Sequence, residues 1–275
     1  MKIIQEKSNV RICDADSFDL AQTLDCGQSF RFKECDDGSW QGIALGRNIR
    51  LSADENDIII HDMDLDEFNE KFFDYFTLGI DYASIKKEFC GDIYLKKAIE
   101  YASGIRLLKQ DKWECVCSFI ISQNNNIPRI KGIIERLCES FGQKCDGGYT
   151  FPNADVIANL SLEELAPLRA GFRAKYILDA SQKFAKGEID LEKLETAPLD
   201  EARDELMKIK GVGPKVADCA LLFSCGRLDA FPQDVWIKRA VAQLYPNGLP
   251  ECFGKYAGIA QQYLFHYVRT TDIVK

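Results

Sequence analysis

The chain has 275 residues, 46% apolar and 28% charged, with only 8 prolines. That is enough for one large or two ordinary domains and the wrong composition for a disordered, collagen-like or fibrous protein. The net charge of −8 is regional, because residues 51–100 hold 13 Asp/Glu and 5 Lys/Arg while the other 225 residues carry 30 of each sign, so a basic stripe for nucleic acid is not excluded.

Strand signals occupy the first hundred residues. Ser29–Phe32 alternates in polarity, Trp40–Leu45 follows Asp37-Gly38, and Asn48–Leu51 is set against Ile58–Ile60 across Asp54–Asp57. These predict an antiparallel meander packed on helices. From Leu65 the pattern turns helical and stays so. Trp113–Gln123 is an apolar run, and Pro128–Phe141 carries Ile130, Ile133, Ile134, Leu137 and Cys138 three or four apart. Asp146-Gly-Gly-Tyr149 marks a loop, and Ser161-Leu-Glu-Glu164 is a capping box ahead of a short helix. Helices over Tyr176–Phe184 and Asp200–Ile209 each close on Lys-Gly. There is no internal repeat, low-complexity tract or long linker. The charge-punctuated start MKIIQEKSNVRICDADSFDL lacks a signal-peptide core, and no apolar run approaches the roughly 18–20 residues of a bilayer span. A soluble, intracellular chain with no membrane partner is expected, and nothing in it points to an oligomer, so a monomer is expected too.

Eleven cysteines, odd in number and without a CxxC, read as reduced thiols, most of them small core residues. Two histidines, His61 and His266, leave little material for zinc sites or Ser-His-Asp catalysis. Only Cys252 follows residue 225, too few thiolates for a C-terminal iron–sulfur cluster. No metal site is expected.

The most informative stretch is Leu206–Leu222, LMKIKGVGPKVADCALL. A helix ends at Lys210, Gly211 and Gly213 permit a tight turn, and Pro214 opens the next helix, where its missing N–H costs nothing. The hairpin, about residues 205–222, leaves backbone N–H groups free at a helix N-terminus, a site suited to a phosphate. An ordinary helix–turn–helix corner would look the same. Lys215 lies in the first turn of the new helix, where the dipole disfavours its ammonium form and favours a nucleophilic amine able to form a Schiff base. Cys219 is one turn further on the same face. Asp234, in Phe231-Pro-Gln-Asp-Val-Trp236, stands just ahead of another apolar-periodic helix; it reads as an N-cap that can also face a lysine.

With this GVGPK and PQDV pair, the chain resembles the helix-hairpin-helix (HhH-GPD) superfamily of base-excision DNA glycosylases, in its bifunctional branch. Four further segments are similar to its 8-oxoguanine glycosylases: Cys26-Gly-Gln-Ser-Phe-Arg-Phe32, Ser118–Ile130 with Asn124-Asn-Asn126, Ala170–Tyr176, and Tyr256–Phe265. The resemblance implies an α+β fold: a TBP-like N-terminal antiparallel sheet domain over 1–104 and an all-helical glycosylase body over 105–275. It implies that the Gly27 carbonyl accepts the N7 hydrogen of 8-oxoguanine, which guanine lacks. Gln261 would hold the Watson–Crick edge of the flipped base, with Phe265 and Cys219 on its two faces. Asn124 would fill the hole left in the duplex, Phe172 would wedge beside it, and Arg129 and Arg173 would read the orphaned cytosine. Gly211, Gly213 and Val216 would grip phosphate through backbone N–H groups, with Trp236 nearby. The hairpin carbonyls are a candidate cation site, and no other cofactor is implied. Trp236 and Val268 depart from the histidine and acid of animal members, and Phe172 from a common tyrosine.

The implied reaction is attack of Lys215 on C1′ of the damaged nucleotide in double-stranded DNA, aided by Asp234, with β-elimination nicking the strand. The alternatives are a relative acting on other damaged purines and a non-catalytic hairpin module that only binds DNA. Gly27, Gln261 and Phe265 weigh against the first, and Lys215 with Asp234 against the second.

Overall fold

The structure, a computed structural model, describes residues 1–271, 273 and 274. Six strands form one antiparallel sheet: β1 (Lys2–Glu6), β2 (Asn9–Cys13), β3 (Phe32–Glu34), β4 (Trp40–Ala44), β5 (Arg47–Asp54) and β6 (Asp57–His61), in the order β1-β2-β6-β5-β4-β3. The predicted meander is β3 to β6, with Leu51 opposite Ile60 and Asp54 opposite Asp57 across a two-residue turn. Alternation puts Val10, Ile12, Ile49, Leu51, Ile58 and Ile60 on the buried face, against Phe68, Phe72 and Phe76.

Two elements of the sheet region differ from the sequence expectation. The β1–β2 hairpin adds two strands at the edge, β2 pairing with β6. The strand expected over Ser29–Phe32 begins only at Phe32, because Cys26 and Phe30 leave the sheet and pack in the core of the helical part. That detour carries Gly27 away from the sheet.

The helices are α1 (Leu20–Leu24), α2 (Leu65–Glu67), α3 (Phe73–Tyr75), α4 (Tyr82–Phe89), α5 (Ile93–Tyr101), α6 (Lys112–Ser122), α7 (Ile127–Phe141) and α8 (Ala154–Ala158). They continue with α9 (Ala174–Ala185), α10 (Leu191–Thr196), α11 (Leu199–Met207), α12 (Pro214–Cys225), α13 (Val235–Leu244) and α14 (Ala257–Thr270). Between α7 and α8, β7 (Lys144–Cys145) and β8 (Gly148–Tyr149) make a short ribbon around the Asp146-Gly-Gly loop. The Ser161–Glu164 capping box forms, Ser161 N–H donating to Glu164 at 2.8 Å and Glu164 N–H to Ser161 Oγ at 3.2 Å, but it opens turns and a single 3₁₀ turn at Ala166–Leu168. The α+β arrangement expected from the sequence is present: an antiparallel sheet, then a helical body.

One core surrounds the hairpin helices. Phe119 of α6 stacks on Phe223 of α12, ring centroids 5.4 Å apart and planes 15° apart, a contact worth about 0.5–1.5 kcal/mol beyond burial. It fixes α12 against α6. Polar contacts tie the sheet side to the helices: Arg31 to Glu114 at 3.5 Å and Lys131 to Asp25 at 2.9 Å.

Candidate functional site

The hairpin is held from below by residues the sequence reading passed over. Gly211 has φ +79°, and any Cβ there would run into the Tyr176 ring, which lies flat against the turn. The Lys210 N–H donates to Asp179 Oδ2 at 2.8 Å, and Lys210 Nζ and Lys183 Nζ lie 3.4 and 3.5 Å from the same carboxylate. Burial pushes Asp179 upward, but that hydrogen bond and the two lysines outweigh it and hold the carboxyl below its ordinary value. Asp179 sits among the buried residues of α9, beside Ile177, Ala180 and Ser181. An acid in an otherwise apolar helical stripe is the one signal that could have flagged it.

Gly213 precedes α12, Pro214 opens it, and no side chain caps it. The N–H groups of the first turn, including Lys215 and Val216, are therefore left for a ligand. A Cβ at Gly213 would meet nothing within 4 Å, so the approach to these donors is open.

Lys215 projects from this turn over the Phe119 ring, Nζ 5.2 Å from its centroid. Among the described residues it forms no ion pair within 4.0 Å. Its neighbour is Cys219, a buried thiol pushed up to about 11 by desolvation, lowered in part by the Lys215 charge and hydrogen bond and raised by the Asp234 charge. The thiol thus stays neutral while both charges lie close to it. Asp234 caps α13, its Oδ1 accepting from Ile237 N–H at 2.8 Å. The lysine, the aspartate, Gly213, Asn124 and Trp236 line one open cleft of about 840 Å³.

The second cluster lies where α14 meets the Cys26–Phe30 detour. Gly27 has φ +87°, and its Cβ position would be 3.4 Å from the Phe265 ring, 3.6 Å from Arg269 Nη1 and 3.8 Å from Ile127. Residues far apart in the chain thus stand so near Gly27 that one added methyl group would touch them. Among the described residues nothing donates to the Gly27 carbonyl. Gln261 is only 4% exposed, and its Oε1 is buried without a hydrogen-bond partner. An unpaired buried acceptor costs about 1–3 kcal/mol, so this glutamine is poorly explained by folding alone.

The third cluster is the asparagine loop between α6 and α7. Asn126 caps α7 by accepting from Arg129 N–H at 3.0 Å, and Asn125 Nδ2 donates to Ile121 O at 3.0 Å. Asn124 is exposed, in a left-handed conformation with φ +45°. The Arg129 side chain is exposed. Arg173 is different: 2% exposed, it donates to the carbonyls of Gln123, Asn124 (2.7 Å) and Ala170 (3.2 Å). It therefore braces the loop from inside, and the fold does not bring its guanidinium to the surface beside Arg129. Phe172, next to it, is 49% exposed, its ring covered on one side by the Arg173 guanidinium at 4.5 Å.

Trp236 is half-buried against an apolar cluster that contains Ala240 and the fully buried Val268, with Arg239 over its ring at 5.7 Å. The two positions at which the sequence departs from the family pattern thus belong to one apolar cluster. Among the described residues no group of three or more His, Cys, Asp or Glu is placed to hold a metal ion, and no helix is long and apolar enough to cross a membrane.

Two family models match consecutive parts of the chain: the 8-oxoguanine DNA glycosylase N-terminal domain over residues 10–116, and the HhH-GPD superfamily base excision DNA repair protein over 117–249. The N-glycosylase/DNA lyase of Saccharomyces cerevisiae is 31% identical over 275 residues, which cover 86% of this chain and 72% of that protein. The Clostridium acetobutylicum 8-oxoguanine glycosylase/lyase, solved with double-stranded DNA containing cytosine opposite 8-oxoguanine, superposes with a TM-score of 0.93 at 38% identity over 99% of both chains. MBOgg1, solved with a low-affinity DNA ligand, gives a TM-score of 0.92 at 45% identity over 98% of both.

Proposed function

The chain belongs to the 8-oxoguanine DNA glycosylase family of the HhH-GPD superfamily, and from that premise we propose that it excises 8-oxoguanine from duplex DNA, preferentially opposite cytosine, and nicks the strand through a lysine Schiff base. The observation that carries the substrate reading is the pair of vacant acceptors beside Phe265. A purine entering there presents N1–H and N2–H donors on its Watson–Crick edge, suited to Gln261 Oε1. Only the oxidised base also presents N7–H, suited to the Gly27 carbonyl. Guanine would leave that acceptor unpaired in a closed pocket, a penalty on the order of 1–3 kcal/mol. Extruding the base costs a few kcal/mol, offset by Asn124 in the vacated space, Phe172 against the stack and the hairpin N–H groups of Gly211, Gly213 and Val216 on phosphate. The hairpin carbonyls could take a cation there. Exposed Arg129 reads cytosine directly, and Arg173 joins it by releasing the loop carbonyls it now holds.

The chemistry needs a neutral amine near C1′ and a negative charge near the sugar. The Lys215 nitrogen attacks C1′ as the glycosidic bond breaks and the base leaves with the bonding electrons, taking up a proton. Asp234 stabilises the positive charge that develops on the sugar. Opening of the sugar ring gives the imine, and loss of a 2′ proton with departure of the 3′ phosphate breaks the strand. Every step is carried by one copy of the chain acting as a monomer.

The test is borohydride trapping on duplexes carrying 8-oxoguanine opposite each of the four bases. A covalent adduct strongest opposite cytosine and absent in Lys215→Ala is expected. Excision of a different damaged base without an 8-oxoguanine adduct would overturn the substrate reading, and an adduct that survives Lys215→Ala would overturn the nucleophile.

A further inference from the structure

The Gly27 turn is gripped by glutamines on both sides, and one of them lies next to Gln261. Gln262, 2% exposed on α14, donates from Nε2 to the Cys26 carbonyl at 3.2 Å. Gln110, half-buried between α5 and α6, donates to the Gln28 carbonyl at 2.8 Å. The Gln28 side chain is itself fully used, giving to Thr23 O at 2.8 Å and Arg106 O at 2.7 Å and accepting from Leu108 N–H at 2.9 Å. Of the three successive carbonyls at 26, 27 and 28, the outer two are pinned by amide donors and the middle one is left free.

We infer that Gln262, assisted from the other side by Gln110, is a positioning residue that holds the Gly27 carbonyl in its accepting orientation; the inference rests on the lesion-reading role proposed for Gly27. Glycine at φ +87° is the least restricted point of the turn. Rotation of the Gly27–Gln28 peptide would put an N–H where the carbonyl had been. That N–H would suit the N7 lone pair of undamaged guanine, so the same motion that weakens recognition of the lesion would admit the normal base. By holding the flanking peptides, the two glutamines fix the Cα atoms of Gly27 and Gln28, the ends of the axis about which this peptide turns, and so fix where its carbonyl stands relative to α14; loss of either bond lets that axis shift and tilt. Gln262 adds a second constraint. Because it is adjacent to Gln261 on one helix, its bond to Cys26 fixes the spacing between the carbonyl that meets the N7 edge and the amide that meets the opposite edge. A solvent-facing glutamine on α14 would do neither.

Gln262→Met keeps the length of the side chain and removes the donor. In a Lys215→Ala background, which leaves substrate intact, dissociation constants are measured for duplexes with 8-oxoguanine, guanine or a tetrahydrofuran abasic analogue opposite cytosine. The preference for 8-oxoguanine over guanine is expected to fall about fivefold to tenfold, the weight of one buried hydrogen bond, while affinity for the abasic analogue stays within about twofold. An unchanged preference, or an equal loss on the abasic analogue, overturns the inference and leaves Gln262 as packing. If Gln262→Met does not fold, Gln110→Met releases the other carbonyl from a less buried position and carries the same expectation and the same refutation. A protein with both glutamines intact that shows no preference for 8-oxoguanine would instead overturn the reading of Gly27.

Discussion

Replacing Gln261 with methionine should push stability and activity in opposite directions. In the free protein Oε1 is buried without a partner, a burden of about 1–3 kcal/mol. Methionine has nearly the same volume and is unbranched, and such exchanges cost under about 1.5 kcal/mol. The net gain is about 1 kcal/mol, which for a chain of this size raises the melting temperature by roughly 2–4 °C. Bound to substrate, the variant loses the hydrogen bonds of the amide to the flipped purine and leaves the base's own donors unpaired. That is about 2–3 kcal/mol in the transition state, roughly a hundredfold in kcat/KM. Calorimetric melting of the free protein and single-turnover excision of 8-oxoguanine opposite cytosine measure the two halves. A fall of several degrees in melting temperature with excision within threefold of the parent would refute the reasoning, because it would make Gln261 an ordinary satisfied core residue.

Asp234→Asn should keep the cap on α13, since asparagine caps as well as aspartate, and so retain folding and lesion binding while slowing single-turnover excision by about a hundredfold or more. Asp179→Ala removes the anchor of the Lys210 N–H and should weaken binding of any duplex, damaged or not, with a loss of about 1–3 kcal/mol in stability; because the carboxyl is held below its usual range, that contribution is present above the unfolded value near 4 and disappears as pH falls through the folded one. Glu114 behaves in the opposite sense: burial, opposed by Arg31 and aided by Asp111, pushes its carboxyl up from 4.5 to about 7. Between those values the folded chain keeps a proton that the unfolded chain has given up, so stability falls as pH rises through that window, and melting curves of Glu114→Gln at pH 5 and pH 8 should lack that slope.

The parts of this protein that were legible in its sequence are those that depend on neighbours in the chain. The strand pairing around Asp54–Asp57, the apolar face of α7, the capping box at Ser161 and the Gly-Val-Gly hairpin are each decided within about fifteen residues. What escaped was decided by distant partners. Nothing near Gln262 distinguishes it from a surface glutamine; its role exists only because Cys26 comes to lie beside α14. Tyr176 and Asp179 look like ordinary helix residues until the hairpin lands on them. Lys2–Cys13 alternates too weakly against its charges to announce two strands, and it pairs because β6 offers an edge. Arg173 reads from its motif as a surface group, whereas the loop carbonyls of Gln123 and Asn124 draw it inside.

The proposed reading pocket draws on segments far apart in sequence: Gly27 precedes the hairpin by more than half of these residues, while Gln261, Gln262 and Phe265 follow it, on α14. At ordinary rates of protein synthesis, about 5–20 residues per second, the ribosome completes Lys215 and Asp234 seconds before α14, and Gly27 tens of seconds earlier still. A nascent or truncated chain ending before Ala257 would hold the proposed nucleophile and phosphate-gripping turn but none of the α14 residues proposed to tell damaged from intact bases. Its interior would also lack the faces of α5 and α13 covered by α14, so such a fragment should be a poor enzyme and a good target for proteolysis.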